Sequence, residues 1–167
     1  MIIWIYLAVL FISFLGLIVG IELSSMAAEE IKHASKYLKY LNMLLPSMII
    51  LAATYRLNKL YSIIFAVIIM IVILLLRKRN NDAWIYSSMS ALLYVSVMSE
   101  QTFNVAIIIF IYGISISTVN ASKRWKNKNH AQITRSENKT FIIDTLKNYF
   151  YYLIIGILFF GVFSYIL

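Results

Sequence analysis

Residues 2–21 read IIWIYLAVLFISFLGLIVGI, a run with no charged side chain. A helix of about 20 residues rises about 30 Å, the thickness of a bilayer's hydrocarbon core. No basic residue precedes the run, and no small-residue cleavage site with a polar chain follows it. It therefore reads as a membrane span and not as a signal peptide. Residues 60–76 form a second such run, stopped by Arg77, Lys78 and Arg79, and residues 149–167 a third.

Two further regions are less uniform. Residues 40–55 are apolar but contain Asn42 and Pro46; proline is tolerated in membrane helices because neighbouring groups satisfy the freed carbonyl. Residues 83–120 are apolar apart from Ser99, Glu100, Gln101 and Thr102 near the middle. They read as two helices, 83–98 and 103–119, joined by a polar turn. Each arm spans about 24–27 Å, so a hairpin that enters the bilayer and returns is the second reading. The expected fold is all-α: a polytopic helical membrane protein with six transmembrane helices, or five plus a re-entrant hairpin. All of it forms one integral membrane domain, residues 1–167, with spans near 2–21, 40–55, 60–76, 83–98, 103–119 and 149–167.

Composition points the same way. The chain is 62% hydrophobic and 13% charged, where soluble domains hold about 45–50% apolar residues and about 25% charged ones. The net charge is +8, yet the basic residues flank apolar runs, which favours a membrane surface over nucleic acid. In the six-span reading one side holds Lys32, Lys36, Lys39, Arg77, Lys78, Arg79, Lys123, Arg124, Lys126, Lys128, Arg135, Lys139 and Lys147. The other side holds only Arg56 and Lys59. Basic loops stay in the cytoplasm, so residues 22–39, 77–82 and 120–148 are expected there, with both termini outside a cell membrane. The sequons at Asn120 and Asn138 then face the cytoplasm and are expected to stay unmodified.

Few polar residues offer chemistry. There is no cysteine, which removes disulfides, thiolate metal sites and thiol nucleophiles. Residues 24–39 read as an interfacial helix capped by Ser24 or Ser25, with Glu29 and Glu30 near its positive end and lysines following. Glu30 and His33 have the Glu-x-x-His spacing of carboxylate-bridged metal sites, but those sites need a second such motif and two more glutamates. Glu29 and Glu30 also resemble the paired glutamates of CAAX-type intramembrane proteases, although Ala34 stands where that pattern has arginine. Glu22, Glu29, Glu30 and His33 thus form one candidate cluster on the cytoplasmic face. Glu100, Gln101 and Asn104, with Ser96 on the preceding helix, form a candidate polar path. Ionisable groups at depth in a membrane are functional hypotheses by default.

Ser13, Gly16 and Gly20 lie one turn apart, a small-residue face suited to close helix packing within the chain or against a partner. Trp4, Trp84, Trp125 and the tyrosines near span ends, among them Tyr149, Tyr151 and Tyr152, suit an aromatic belt at the interfaces. Residues 140–147 read as an interfacial helix with Phe141, Ile142 and Leu146 toward lipid. No nucleotide-binding loop, hydrolase elbow or zinc-protease motif occurs, so no catalytic residue, metal site or cofactor is expected. The function most in keeping with these features is that of a small subunit or accessory protein of a larger membrane complex. Its partners would be the lipid bilayer and a membrane protein or a second copy. The alternatives are a small transporter or channel using residues 99–104, and a lipid-acting enzyme using the cluster at residues 22–33.

Overall fold

A computed structural model describes residues 2–54, 82–98, 100–125 and 133–163. They form helices α1 (Ile2–Met26), α2 (Ala28–Thr54), α3 (Asp82–Met98), α4 (Thr102–Arg124), α5 (Arg135–Tyr149) and α6 (Tyr151–Phe163), with no strand among the described residues. Four stretches are long and apolar enough to cross a membrane: Trp4–Met26, His33–Thr54, Thr102–Arg124 and Arg135–Gly161. Helix α3, at 17 residues, rises about 25 Å. The expected span at 60–76, the basic residues Arg56, Lys59, Arg77, Lys78, Arg79, Lys126 and Lys128, and His130 lie outside the described residues.

Helix directions follow from which residues meet. Gly16 backs onto Phe110, and Gly20 onto Ile114 and Ser117, so α1 and α4 run parallel. Tyr86 reaches Ser13 while Tyr94 meets Tyr6, so α3 runs antiparallel to α1. Tyr152 meets Ser13 and Phe160 meets Tyr6, so α6 is antiparallel to α1 as well. One end of the bundle gathers Ile21, Ala121, Trp125 and Phe141 into a small cluster beside Arg124; this is the basic end. The main core lies between it and the α3–α4 corner, and α1, α2, α3, α4 and α6 all contribute to it.

Two expected boundaries shift. Helix α1 continues past Glu22 to Met26, and α2 starts at Ala28 and runs unbroken through Lys39 and Pro46. The ladder passes through the bend at Ala27, whose N–H donates to Leu23 O (3.0 Å) and whose carbonyl accepts from Ile31 N (3.0 Å). Residues 22–39 are thus two helix ends meeting at a corner, not a separate interfacial helix. Nothing at residues 39–40 stops a helix, since the lysine-rich start and the apolar continuation are both good helix formers.

Several aromatic residues also turn inward. Trp125 is 5% exposed and packs on Phe141 at 5.4 Å, so neither sits in a lipid-facing belt. Tyr149 and Tyr152 are buried in the core, and only Tyr151 of that trio is exposed. Leu146 and Ile142 also pack against the clusters, leaving Ile143 as the exposed apolar residue of α5. The sequence pattern marks these side chains as interfacial in depth but not in direction, because a tyrosine at a span end suits lipid or a neighbouring helix equally. Trp4 and Trp84 are exposed as a belt requires, with Trp84 stacked on Tyr151 at 5.9 Å.

The α3–α4 corner is a Schellman turn. Glu100 N–H donates to Val97 O (3.3 Å) and Gln101 N–H to Ser96 O (3.0 Å), the two reverse bonds that close a helix C-terminus. Glu100 occupies the left-handed position with φ 56°, where a side chain costs about 1 kcal/mol and glycine is preferred. Glu100→Gly should therefore raise unfolding stability by about 0.5–1 kcal/mol, read in mixed-micelle denaturation. Glu100→Ala, which keeps the Cβ, should show no such gain.

Candidate functional site

Ser13, Gly16 and Gly20 are all buried, and all face inward. A Cβ at Gly16 would fall on the carbonyl of Phe110, and one at Gly20 on the carbonyl of Ile114 and the hydroxyl of Ser117. Gly113 returns the fit from α4, its absent Cβ leaving room for the backbone of Gly16 and Leu17. The close approach lets Thr118 Oγ1 donate to Gly20 O across the interface (3.1 Å), an acceptor shared with Ser24 Oγ (2.6 Å). The small-residue face thus packs inside the chain, against α4.

Ser13 also anchors a buried tyrosine network that the sequence reading missed. Tyr86 donates to Ser13 O (3.0 Å). Ser13 Oγ donates to Leu10 O (2.9 Å), so in the 2.6 Å pair of Ser13 Oγ with Tyr152 the phenol is the donor. Tyr6 donates to Gly156 O (3.1 Å). The rings of Tyr112, Tyr149 and Tyr152 surround that of Tyr86 at 5.9, 5.5 and 4.9 Å. Four helical segments therefore meet at one ring, each phenol apolar in body and polar at the tip. This explains why so many tyrosines occur within apolar runs.

The candidate polar path sits elsewhere. Glu100 and Asn104 are exposed at the corner, where Asn104 Nδ2 donates to Gln101 Oε1. Ser96 is buried and spends its hydroxyl on Leu93 O (2.6 Å), and its carbonyl closes the turn. The cluster is thus a helix terminus stitched to itself.

At the basic end the other candidate cluster is dispersed. Glu22 is exposed and accepts from Asn138 Nδ2 (3.1 Å), which also lies 3.4 Å from Ser25 Oγ. Glu29, Glu30 and His33 are exposed on α2, and His33 Nδ1 lies 3.3 Å from Glu29 O on its own helix. No group of three or more His, Cys, Asp or Glu side chains able to hold a metal occurs among the described residues.

Asn138 instead belongs to a built platform. Thr134 and Glu137 form a capping box that starts α5: Glu137 N–H donates to Thr134 Oγ1 (3.3 Å) and Thr134 N–H to Glu137 Oε2 (3.2 Å). Two orphan donors are satisfied in this way. Helix α5 is then held to α1 by Asn138, and to α4 by Trp125 on Phe141 and by Arg124. The guanidinium of Arg124 lies 4.8 Å over the Phe141 ring and 3.7 Å from Asp144. The Arg124–Asp144 pair is half exposed and contributes little by itself, so the buried Trp125–Phe141 contact does most of the fastening.

Between α5, the end of α4 and the start of α3 lies a cleft of about 520 Å³ lined by Asp82, Asn120, Lys123, Thr145, Asn148 and Tyr149, with Ala83 and Phe141 as apolar wall. Asn120 Nδ2 donates to Tyr149 Oη (3.1 Å), leaving the phenol's own proton free to donate. In this cleft an acid, a base, two amides and two hydroxyls converge. Sequence reading missed it because its residues come from three separated stretches with no shared motif. No family model, curated protein or solved structure matches the chain.

Proposed function

We propose that the chain is a six-span accessory protein of a membrane assembly, with its basic end in the cytoplasm and both termini outside. Its working surface is the platform at the basic end. The observation that carries this reading is the fastening of α5 across the ends of α1 and α4 by Asn138–Glu22 and Trp125–Phe141. The platform continues into α6 with only a turn at Phe150, whose carbonyl accepts from Ile154 N (3.3 Å). Load on the platform is thus transmitted directly to a span.

Helix directions support the span count. Helix α2 leaves the basic end at the Ala27 bend, passes Ser115, whose hydroxyl donates to Leu38 O (3.3 Å), and keeps Ile49, Ile50 and Ala53 buried in the bundle. It therefore finishes toward the opposite end, whereas Asp82 starts α3 beside Asn120 and Tyr149 at the basic end. In the sequence between them lies the apolar run 60–76. Helices α3 and α4 both extend from the corner to the basic end, which favours two full spans over a re-entrant hairpin. The transport reading through Glu100, Gln101 and Asn104 has less support, since that cluster is on an exposed turn. The enzyme reading has less as well, since Glu22 is paired with Asn138 while His33 turns to its own helix.

The absence of cysteine makes orientation testable without background. Lys139→Cys in intact cells should react with an impermeant maleimide only after permeabilisation, and Asn104→Cys should react before it. The reverse pattern would overturn the orientation. For the accessory role, extraction from native membranes in mild detergent should yield the chain in fixed ratio with a second membrane protein. A monodisperse monomer from the same membranes would end that reading.

A further inference from the structure

The cleft at the basic end is lined by polar side chains from α3, α4 and α5. Apart from Ser87, whose buried Oγ has no partner, most buried serine and threonine hydroxyls in the bundle return to a backbone carbonyl: Ser13 to Leu10, Ser24 to Gly20, Ser90 to Ser87, Ser96 to Leu93, Ser117 to Gly113 and Thr118 to Gly20. This is the ordinary resting state of serine and threonine in helices. Thr145 is only 5% exposed and sits in mid-helix, yet its hydroxyl makes no such bond and lines the cleft. Beside it Tyr149, also 5% exposed, accepts from Asn120 and keeps its proton available. Thr145 and Tyr149 thus line the cleft together with Lys123, Asp82 and the Asn120 and Asn148 amides, a polar lining suited to a polar occupant.

The charges around them define its chemistry. Lys123 and Asp82 both line the cleft, with no ion pair between the two among the described residues. A point cation with two hydroxyl donors and the Asn148 amide suits a phosphate. A carboxylate such as Asp82, with no ion pair to a cation among the described residues, suits an ammonium. The cleft lies where α4 ends in Lys123 and Arg124 and where the long Arg135–Gly161 stretch turns from polar to apolar. That is the level of lipid headgroups when the chain is in a bilayer. We propose that this cleft binds a zwitterionic phosphoethanolamine group, supplied by the headgroup of a phospholipid. Lys123, Thr145 and Tyr149 hold the phosphate, and Asp82 holds the ammonium. The assignment needs the chain to lie in a membrane but does not depend on a protein partner.

The test uses the full chain in mild detergent, titrated by native mass spectrometry with phosphatidylethanolamine and, separately, phosphatidylglycerol of the same acyl chains. Phosphatidylethanolamine should bind at least about tenfold more tightly, the factor that one lost charged contact of about 1.4 kcal/mol commands. Lys123→Met should weaken both lipids about tenfold. Asp82→Asn should weaken only phosphatidylethanolamine and so erase the preference. Thr145→Val keeps the shape of the side chain and should weaken both lipids about threefold with an unchanged melting temperature, which separates lost binding from lost folding. Equal affinity for the two lipids in the unaltered chain, or unchanged affinity in Lys123→Met and Asp82→Asn, would overturn the site. Soluble O-phosphoethanolamine should compete poorly. Competition equal to that of the lipid would overturn the membrane source.

Discussion

Gly20→Leu should stop the bundle from assembling in its present form. Even the first atom of the new side chain would fall on the carbonyl of Ile114 and the hydroxyl of Ser117, so α1 and α4 must separate over at least a turn. Overpacking of this kind costs about 3 kcal/mol. Separation would also break the Thr118 bond to Gly20 O, and interhelical hydrogen bonds in membranes contribute about 0.6 kcal/mol each. Reversible unfolding in mixed micelles should show the loss, with trypsin cutting the variant faster than the unaltered chain. Gly20→Ala should show a smaller loss of the same sign. Val19→Leu, one residue away on the exposed side of α1, should be neutral. A Gly20→Leu chain as stable as the unaltered one would mean that α1 and α4 do not meet along this face.

That face also bears on the choice of partner surface. The small-residue pattern of Ser13, Gly16 and Gly20 is readable from sequence, but spacing does not say whether the opposing helix is in the same chain. Here α4 answers it with Gly113, and the face is consumed. Under the proposed accessory role a partner would use another surface, and the fastened α5 offers polar, directional groups. Much else of the fold was readable because lipid imposes strict rules: apolar runs of bilayer length must be helices, as unsatisfied backbone in hydrocarbon is too costly. Residues 2–21 and the polar break near residues 99–102 fall within and between the observed helices α1, α3 and α4. Direction within a depth layer is different. Trp125, Phe141, Tyr149 and Tyr152 are placed at the interface equally well by lipid contact or by protein contact, and only the neighbouring helices decide. The cleft was illegible for a related reason: Asp82, Lys123 and Thr145 are ordinary interfacial residues until three helices bring them together.

The buried phenol of Tyr86 gives the second large effect. Its ring is fully buried, touches tyrosines from α4, α5 and α6, and bonds to the Ser13 backbone of α1. Truncation by Tyr86→Ala would leave a cavity at the point where these segments converge. Large aromatic truncations in packed cores cost on the order of 3–5 kcal/mol. In lipid the unfolded reference keeps the side chain in an apolar solvent, so the transfer part of that cost falls away and the packing part remains, about 3 kcal/mol. Tyr86→Phe keeps the ring and removes only the donor to Ser13 O. That carbonyl can still be served by the helical ladder, so the cost should be about 0.6 kcal/mol. The ratio between the two variants is the informative quantity, measured in the same micelles. A large ratio means that shape at Tyr86 holds α1, α3, α4, α5 and α6 together, with the hydroxyl setting only register. A Phe variant as damaged as the Ala variant would mean that the hydrogen bond carries the junction, and that the bundle is held by polar contacts and not by packing.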